Sequence, residues 1–141
     1  SQDIGHKLRV HGLSTRTVQI HVRGNDLFGS QFQCKLPIKT QLPSEIAAAA
    51  FRCFQERYTW NTKVRAVTVR AIELSPKSDA EQVSLFDNVQ QRIAKEKVQD
   101  AVEEIRGRFG KAAVTYASLL GDLKMPADGR DKVKMPGIMY Q

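Results

Sequence analysis

The segment TRTVQIHVR, residues 15–23, decides the fold. Its apolar residues Val18, Ile20 and Val22 fall on every second position, the period of a strand with one buried face. Neighbouring side chains in a strand point to opposite faces, so the same alternation sends Thr17, Gln19, His21 and Arg23 to the other side. The turn residues GNDLFG (24–29) follow, and SQFQCKLP (30–37) then alternates again through Phe32, Cys34 and Leu36. Together the two runs predict a β-hairpin.

Toward the N-terminus, QDIGHKLRVH (2–11) sets Ile4 and Leu8 one helical turn apart and stops at Gly12, a residue suited to ending a helix. Beyond the hairpin, Pro43 and Ser44 predict a helix start, with Ser44 as N-cap and Glu45 in the first turn. Its expected apolar face is Ile46, Ala50, Phe54 and Tyr58, with Phe51 beside it. KVRAVTVRAIEL (63–74) predicts a third strand with Val67, Val69 and Ala71 on one face, and residues 75–81 read as a polar linker.

A second long helix is expected over 88–109, started by an Asp87/Gln90 capping box and ended by Gly110. Its stripe is Val89, Ile93, Val98, Val102, Ile105 and Phe109, with Glu104 and Arg108 paired four residues apart. AAVTYA (112–117) suggests a short strand. KMP recurs at 124–126 and 134–136 in the tail, but two copies are too few for a repeat architecture. The pattern as a whole is α+β: an antiparallel sheet with helices on one face, a C-terminal helix and a tail.

Composition limits the function. The longest apolar run, IAAAAF (46–51), is far short of the ~18 residues of a membrane span. The first residues carry no signal-peptide pattern, so a cytoplasmic chain without a membrane partner is expected. Cys34 and Cys53 lie in apolar-periodic segments and read as buried small hydrophobes rather than a disulfide. His6, His11 and His21 are not at metal-ligand spacings. The formal charge is +7, and it is concentrated: residues 1–75 hold 11 Lys/Arg against 5 Asp/Glu, residues 76–141 hold 11 against 10. That imbalance suggests a polyanionic partner.

The face of the sheet opposite the helices is expected to carry Thr17, Gln19, His21, Arg23, Gln31, Gln33, Lys35, Thr68 and Arg70. The set has no Asp, no Glu and no aromatic residue, and each member can donate a hydrogen bond. Donors and positive charge without carboxylates suit phosphates. Without aromatics there is no platform for stacking bases, so the face would grip backbone rather than read sequence. Antiparallel sheets commonly solvate one polar face, but such faces mix both charge signs.

EQVSLFDN (81–88) places Leu85 and Phe86 side by side in a polar stretch. Stapling Phe86 onto the helix from a cap at Asp87 would need an apolar partner at position 91, which is Gln91. The other reading is a short linear motif, Gln82 for a polar pocket and Leu85 with Phe86 for an apolar cleft on a partner.

QVSLF resembles the bacterial sliding-clamp-binding motif, with Val83 in place of the commoner leucine and Ser84, Leu85 and Phe86 in register. LRVHGLSTRTVQIHVRGNDL, LPSEIAAAAFRCFQERY and VRAVTVRAIELS resemble, in that order, the little-finger domain of Y-family translesion polymerases of the DNA polymerase IV and UmuC type. QRIAKEKVQDAVEEIRGRFG resembles the helix that follows the clamp motif in Gram-positive-type members. The resemblance covers roughly residues 2–120. It implies a ferredoxin-like little finger over 1–75 that lacks its first strand and part of its first helix. A linker with the clamp motif would span 76–88, the C-terminal helix and possible strand 89–120, and the tail 121–141.

The implied function is DNA binding and clamp tethering for a translesion polymerase. The nine outward residues would meet the backbone of duplex or primer-template DNA, and Gln82, Val83, Ser84, Leu85 and Phe86 would engage the β sliding clamp. The palm and fingers, with their catalytic carboxylates and Mg, lie outside this sequence, so no catalytic residue, metal or cofactor is assigned. A sheet short of one strand would be completed by residues 112–117 with the long helix, or by a second copy in a homodimer. The competing reading is a free-standing RNA-binding or protein-interaction module. An independent enzyme has no support from a nucleophile–base pair, a glycine-rich phosphate loop or a ligand cluster.

Overall fold

A computed structural model describes residues 1–78, 89–110 and 112–117. Six elements follow in order: α1 (Gln2–Val10), β1 (Leu13–Gly24), β2 (Gly29–Thr40), α2 (Pro43–Arg57), β3 (Val64–Pro76) and α3 (Val89–Phe109). The chain divides into two compact units, Ser1–Lys95 and Glu96–Gln141.

The first unit is a three-stranded antiparallel sheet in the order β2-β1-β3, with α1 and α2 against it. The expected hairpin pairs β1 with β2, and β3 pairs along the other side of β1. In the central strand, Val18 lies between Cys34 and Ala71, Ile20 between Phe32 and Val69, and Val22 between Ser30 and Val67. Val18, Ile20 and Val22 are fully buried and join Leu8, Leu36, Ile46, Ala49, Ala50 and Cys53 in one core. Removing each such side chain from water contributes about 1.5–3 kcal/mol, so the alternation of β1 holds the layer together.

Local chemistry sets the ends of the elements. Gly12, at φ 63, lets the chain leave α1; its amide donates to the Arg9 carbonyl and that of His11 to the Lys7 carbonyl. The buried Gln41 ties this corner to the sheet, its Nε2 donating to the Leu13 carbonyl at 2.7 Å. The β1–β2 register shifts between Thr15 and Thr17, where β2 passes through Pro37, which has no amide to donate to the ladder.

Several expectations are corrected. Leu42, not Ser44, is the N-cap of α2, and the Thr40 hydroxyl accepts the Leu42 amide at 3.0 Å. The expected α2 face does meet the core, with Ile46 and Ala50 buried and Phe54 and Tyr58 half-buried against it, and Ala49 and Cys53 complete the buried stripe; Phe51, expected beside it, is exposed instead. Cys34 and Cys53 are joined as a disulfide between β2 and α2, with Cα atoms 6.0 Å apart, inside the range of about 4.4–6.8 Å that the bond needs. Cys34 points to the core by strand alternation and Cys53 by helical period, so the two sulfurs meet in one layer. β3 does not yield to linker at 75: Ser75 pairs with Ser14, Pro76 with Leu13, and the Lys77 amide donates to the Gly12 carbonyl at 2.8 Å.

In the second unit α3 ends at Gly110, φ 93, whose amide donates to the Arg106 carbonyl. Residues 112–117 form turns, not the expected strand. The reason is local: the Arg106 guanidinium folds the chain back by donating to the Val114 carbonyl from Nε at 3.0 Å and Nη2 at 2.6 Å. The expected Glu104–Arg108 ion pair is present at 2.6 Å. Val98, Ile105 and Phe109 of the stripe are exposed. Asp87 of the capping box, the motif at 82–86 and the tail 121–141 lie outside the described residues. No described helix is long and apolar enough to cross a membrane.

Candidate nucleic-acid interface

With Val18, Ile20 and Val22 turned into the core, the opposite face of the sheet is built in four rungs. Thr17 sits between Lys35 and Ile72, Gln19 between Gln33 and Arg70, His21 between Gln31 and Thr68, and Arg23 between Gly29 and Ala66. All nine residues singled out from the sequence are thus on one face. Ile72 and Ala66 join them there; both follow from the alternation that placed Thr68 and Arg70.

The nine are not equally available. Arg23, Gln31, Gln33, Lys35, Thr68 and Arg70 are exposed and His21 is half-buried. Thr17 and Gln19 are only 3% and 7% exposed. They occupy the middle strand, flanked on both sides by Lys35, Ile72, Gln33 and Arg70. The accessible surface is therefore carried by the outer strands and by Arg23 at one end of β1.

The face also contains the carboxylate it was expected to lack. Glu73 has φ 52, and its Oε2 accepts a hydrogen bond from the Thr17 hydroxyl. Strict alternation would have turned Glu73 toward the helices. The left-handed backbone breaks that alternation and brings a negative charge to the Thr17–Lys35 end. Next to it the buried Thr15 hydroxyl donates to the Ile72 carbonyl at 2.7 Å.

At the other end His21 lies over Gly29, where a Cβ would collide with the imidazole. Glycine there leaves the ring room beside Gln31. Among the described residues no three His, Cys, Asp or Glu side chains come together as a metal site would need. What the face offers is a row of donors and three cations, Arg23, Lys35 and Arg70, spread over three strands, with one carboxylate at its edge. Such a surface suits a phosphate backbone and carries no base-stacking platform.

Comparisons with known proteins agree with this architecture. Residues 1–85 match the family described as the impB/mucB/samB family C-terminal domain. The chain is 36% identical over 122 residues to the DNA polymerase IV of Acetivibrio thermocellus, an alignment covering 86% of this chain and 31% of that protein. It is 28% identical over 123 residues to the DNA polymerase IV of Desulfatibacillum aliphaticivorans, covering 87% of this chain and 31% of the relative. The DNA polymerase IV of Clostridium kluyveri is 25% identical over 126 residues, with 85% and 31% covered. The chain thus spans a little under a third of the length of the curated relatives it matches.

Proposed function

The chain belongs to the impB/mucB/samB family, whose C-terminal domain its residues 1–85 match, and on that footing we propose that it is the DNA-gripping and clamp-tethering region of a Y-family translesion DNA polymerase. The observation that carries the DNA reading is the distribution of Arg23, Lys35 and Arg70 over the open face of the sheet. Cations on three adjacent strands can meet separate phosphates of a primer–template duplex, and the absence of aromatic residues leaves base identity unread. Nucleotidyl transfer and the Mg that supports it are assigned to the part of the relatives this chain does not span. This chain supplies position and grip.

The tethering half rests on QVSLF, residues 82–86. Gln82 would fill a polar pocket and Leu85 with Phe86 an apolar cleft of the clamp, and burying the two apolar side chains contributes on the order of 1.5–3 kcal/mol each before ordering costs. Calorimetric titration of the chain into a bacterial sliding clamp, beside a Gln82→Ala/Leu85→Ala/Phe86→Ala variant, tests it. Binding is expected from the first protein and absent from the second. Equal heats from both would remove the clamp from the reading and leave DNA as its partner.

A further inference from the structure

Two loops meet at the end of the sheet beyond Arg23. The β1–β2 connection lies beside the α2–β3 connection, where the Asn25 amide donates to the Lys63 carbonyl at 3.0 Å. The chain presents bare aromatic surface in these loops, with Phe28 80% and Trp60 66% exposed. Trp60 is nonetheless fixed. Its ring stands edge-on to Phe54 and Tyr58 with centroids 5.3 and 5.4 Å away, and the Tyr58 hydroxyl donates to the Thr62 carbonyl at 2.8 Å. Its backbone is at φ 56, a region that a bulky side chain occupies only where the surroundings over-determine it.

A ring seated on an aromatic platform and still open to solvent is preorganised for a partner, and the charge around it indicates which. Arg57, Lys63 and Arg65 flank it in the chain, are exposed, and make no ion pair among the described residues. The carboxylates of the same segments are Asp26, whose Oδ1 already accepts the Phe28 amide at 3.2 Å, and Glu56. An aromatic ring largely open to solvent among cations suits a single strand, whose bases can leave their own stack while its phosphates meet the charges. A duplex keeps its bases stacked on one another and offers none to the ring.

We propose that Trp60 is a stacking site for an unpaired base of single-stranded DNA, with Arg57 and Lys63 engaging the flanking phosphates. The inference rests on the DNA reading of the sheet and extends it from duplex backbone to the unpaired strand beside it. It also restores, at the end of the sheet, the stacking residue that its open face lacks.

Trp60 is the only tryptophan in the chain, so its emission reports the site directly. The chain is titrated with oligothymidylate and, separately, with a blunt duplex of equal phosphate number, following Trp60 emission and the anisotropy of labelled DNA. The single strand is expected to quench the emission and the duplex to leave it nearly unchanged. Trp60→Ala is expected to weaken oligothymidylate binding about tenfold, the loss of one stacked base, with duplex affinity kept and Trp60→Phe retaining most of the single-strand affinity. Thermal melts of both variants show whether the fold is intact. Unquenched emission with oligothymidylate bound, or a folded Trp60→Ala that binds it as tightly as the parent, would overturn the site while leaving the sheet reading in place. Failure to bind either DNA would overturn both.

Discussion

Replacing Arg23, Lys35 and Arg70 together with alanine perturbs the proposed grip without touching the core, since all three are exposed. Lys35 is level with Thr17, Arg70 with Gln19, and Arg23 ends the row. At about 3.3 Å per residue, Thr17 to Arg23 covers roughly 20 Å, and the outer strands lie roughly 10 Å apart. Phosphates on one strand of B-DNA advance about 3.4 Å each along the axis, so the three cations are far enough apart to neutralise separate phosphates. Each neutralised phosphate adds about 0.9 to the slope of log affinity against log salt. The triple variant should therefore lose about 2.7 from that slope. Between about 50 and 200 mM salt the parent should lose about 40-fold more affinity than the variant does. Anisotropy of a labelled primer–template over a salt series measures it, with two unrelated sequences to show that preference is unchanged. Glu73→Gln is the counter-perturbation: its amide oxygen still accepts from Thr17, the charge is gone, and affinity should rise severalfold at low salt and converge at high salt. A slope reduced by less than about one, in a variant with an unchanged circular-dichroism melt, would show that DNA meets another surface.

Two stability predictions follow from the packing. Gly5 faces the α1–α2 contact, where a Cβ would lie 2.9 Å from the Gln41 carbonyl oxygen and press on the Pro43 ring; Gly5→Ala should destabilise by about 1–3 kcal/mol from overpacking, offset by about 1 kcal/mol of helix propensity, and a urea titration should show a lowered midpoint at unchanged slope. Reducing the Cys34–Cys53 bond, which closes a loop of sequence separation 19, should cost about 3 kcal/mol and lower the melting temperature on the order of 10 °C; identical melts with and without reductant, the bond confirmed by mass spectrometry, would refute it.

The parts of this fold that could be read in advance are those where one period dominates. Val18, Ile20 and Val22 announced both faces of β1, and the facing strands followed because any register that buries one apolar set exposes the other. Helix α2 was harder to read. Four consecutive alanines leave open which of them faces the sheet, and the size of Phe51 favours a position beside the apolar face, where the close sheet admits the smaller Ala49 instead. Ser44 has the side chain of a cap, but the chain turns into the helix one step after the buried Leu42, whose amide is served by the Thr40 hydroxyl instead. The disulfide needed two different periods to be laid over each other in space, which no local pattern supplies. Alternation puts the nine donors on one face; that Thr17 and Gln19 are covered goes with their place in the middle strand, between two neighbours each.

The remaining surprises share one physical origin. Leu27, Trp60 and Glu73 all have positive φ, between 52 and 69, and none is a residue whose side chain favours that region. A pattern argument assumes relaxed backbone, so it misplaces a residue wherever tertiary contacts hold it in the left-handed well. Strict alternation along β3 would point Glu73 at the helices, yet it bonds Thr17 on the open face; Trp60 lies between α2 and β3 and stands exposed on Phe54 and Tyr58. Strain of this kind costs of order 1–3 kcal/mol per residue and persists where the surroundings enforce it. Here it falls at the two ends of the candidate surface, a carboxylate that lowers its positive charge at one and an exposed aromatic ring at the other. The charge of the face is written in its alternation, whereas its limits are set by the residues at which alternation fails.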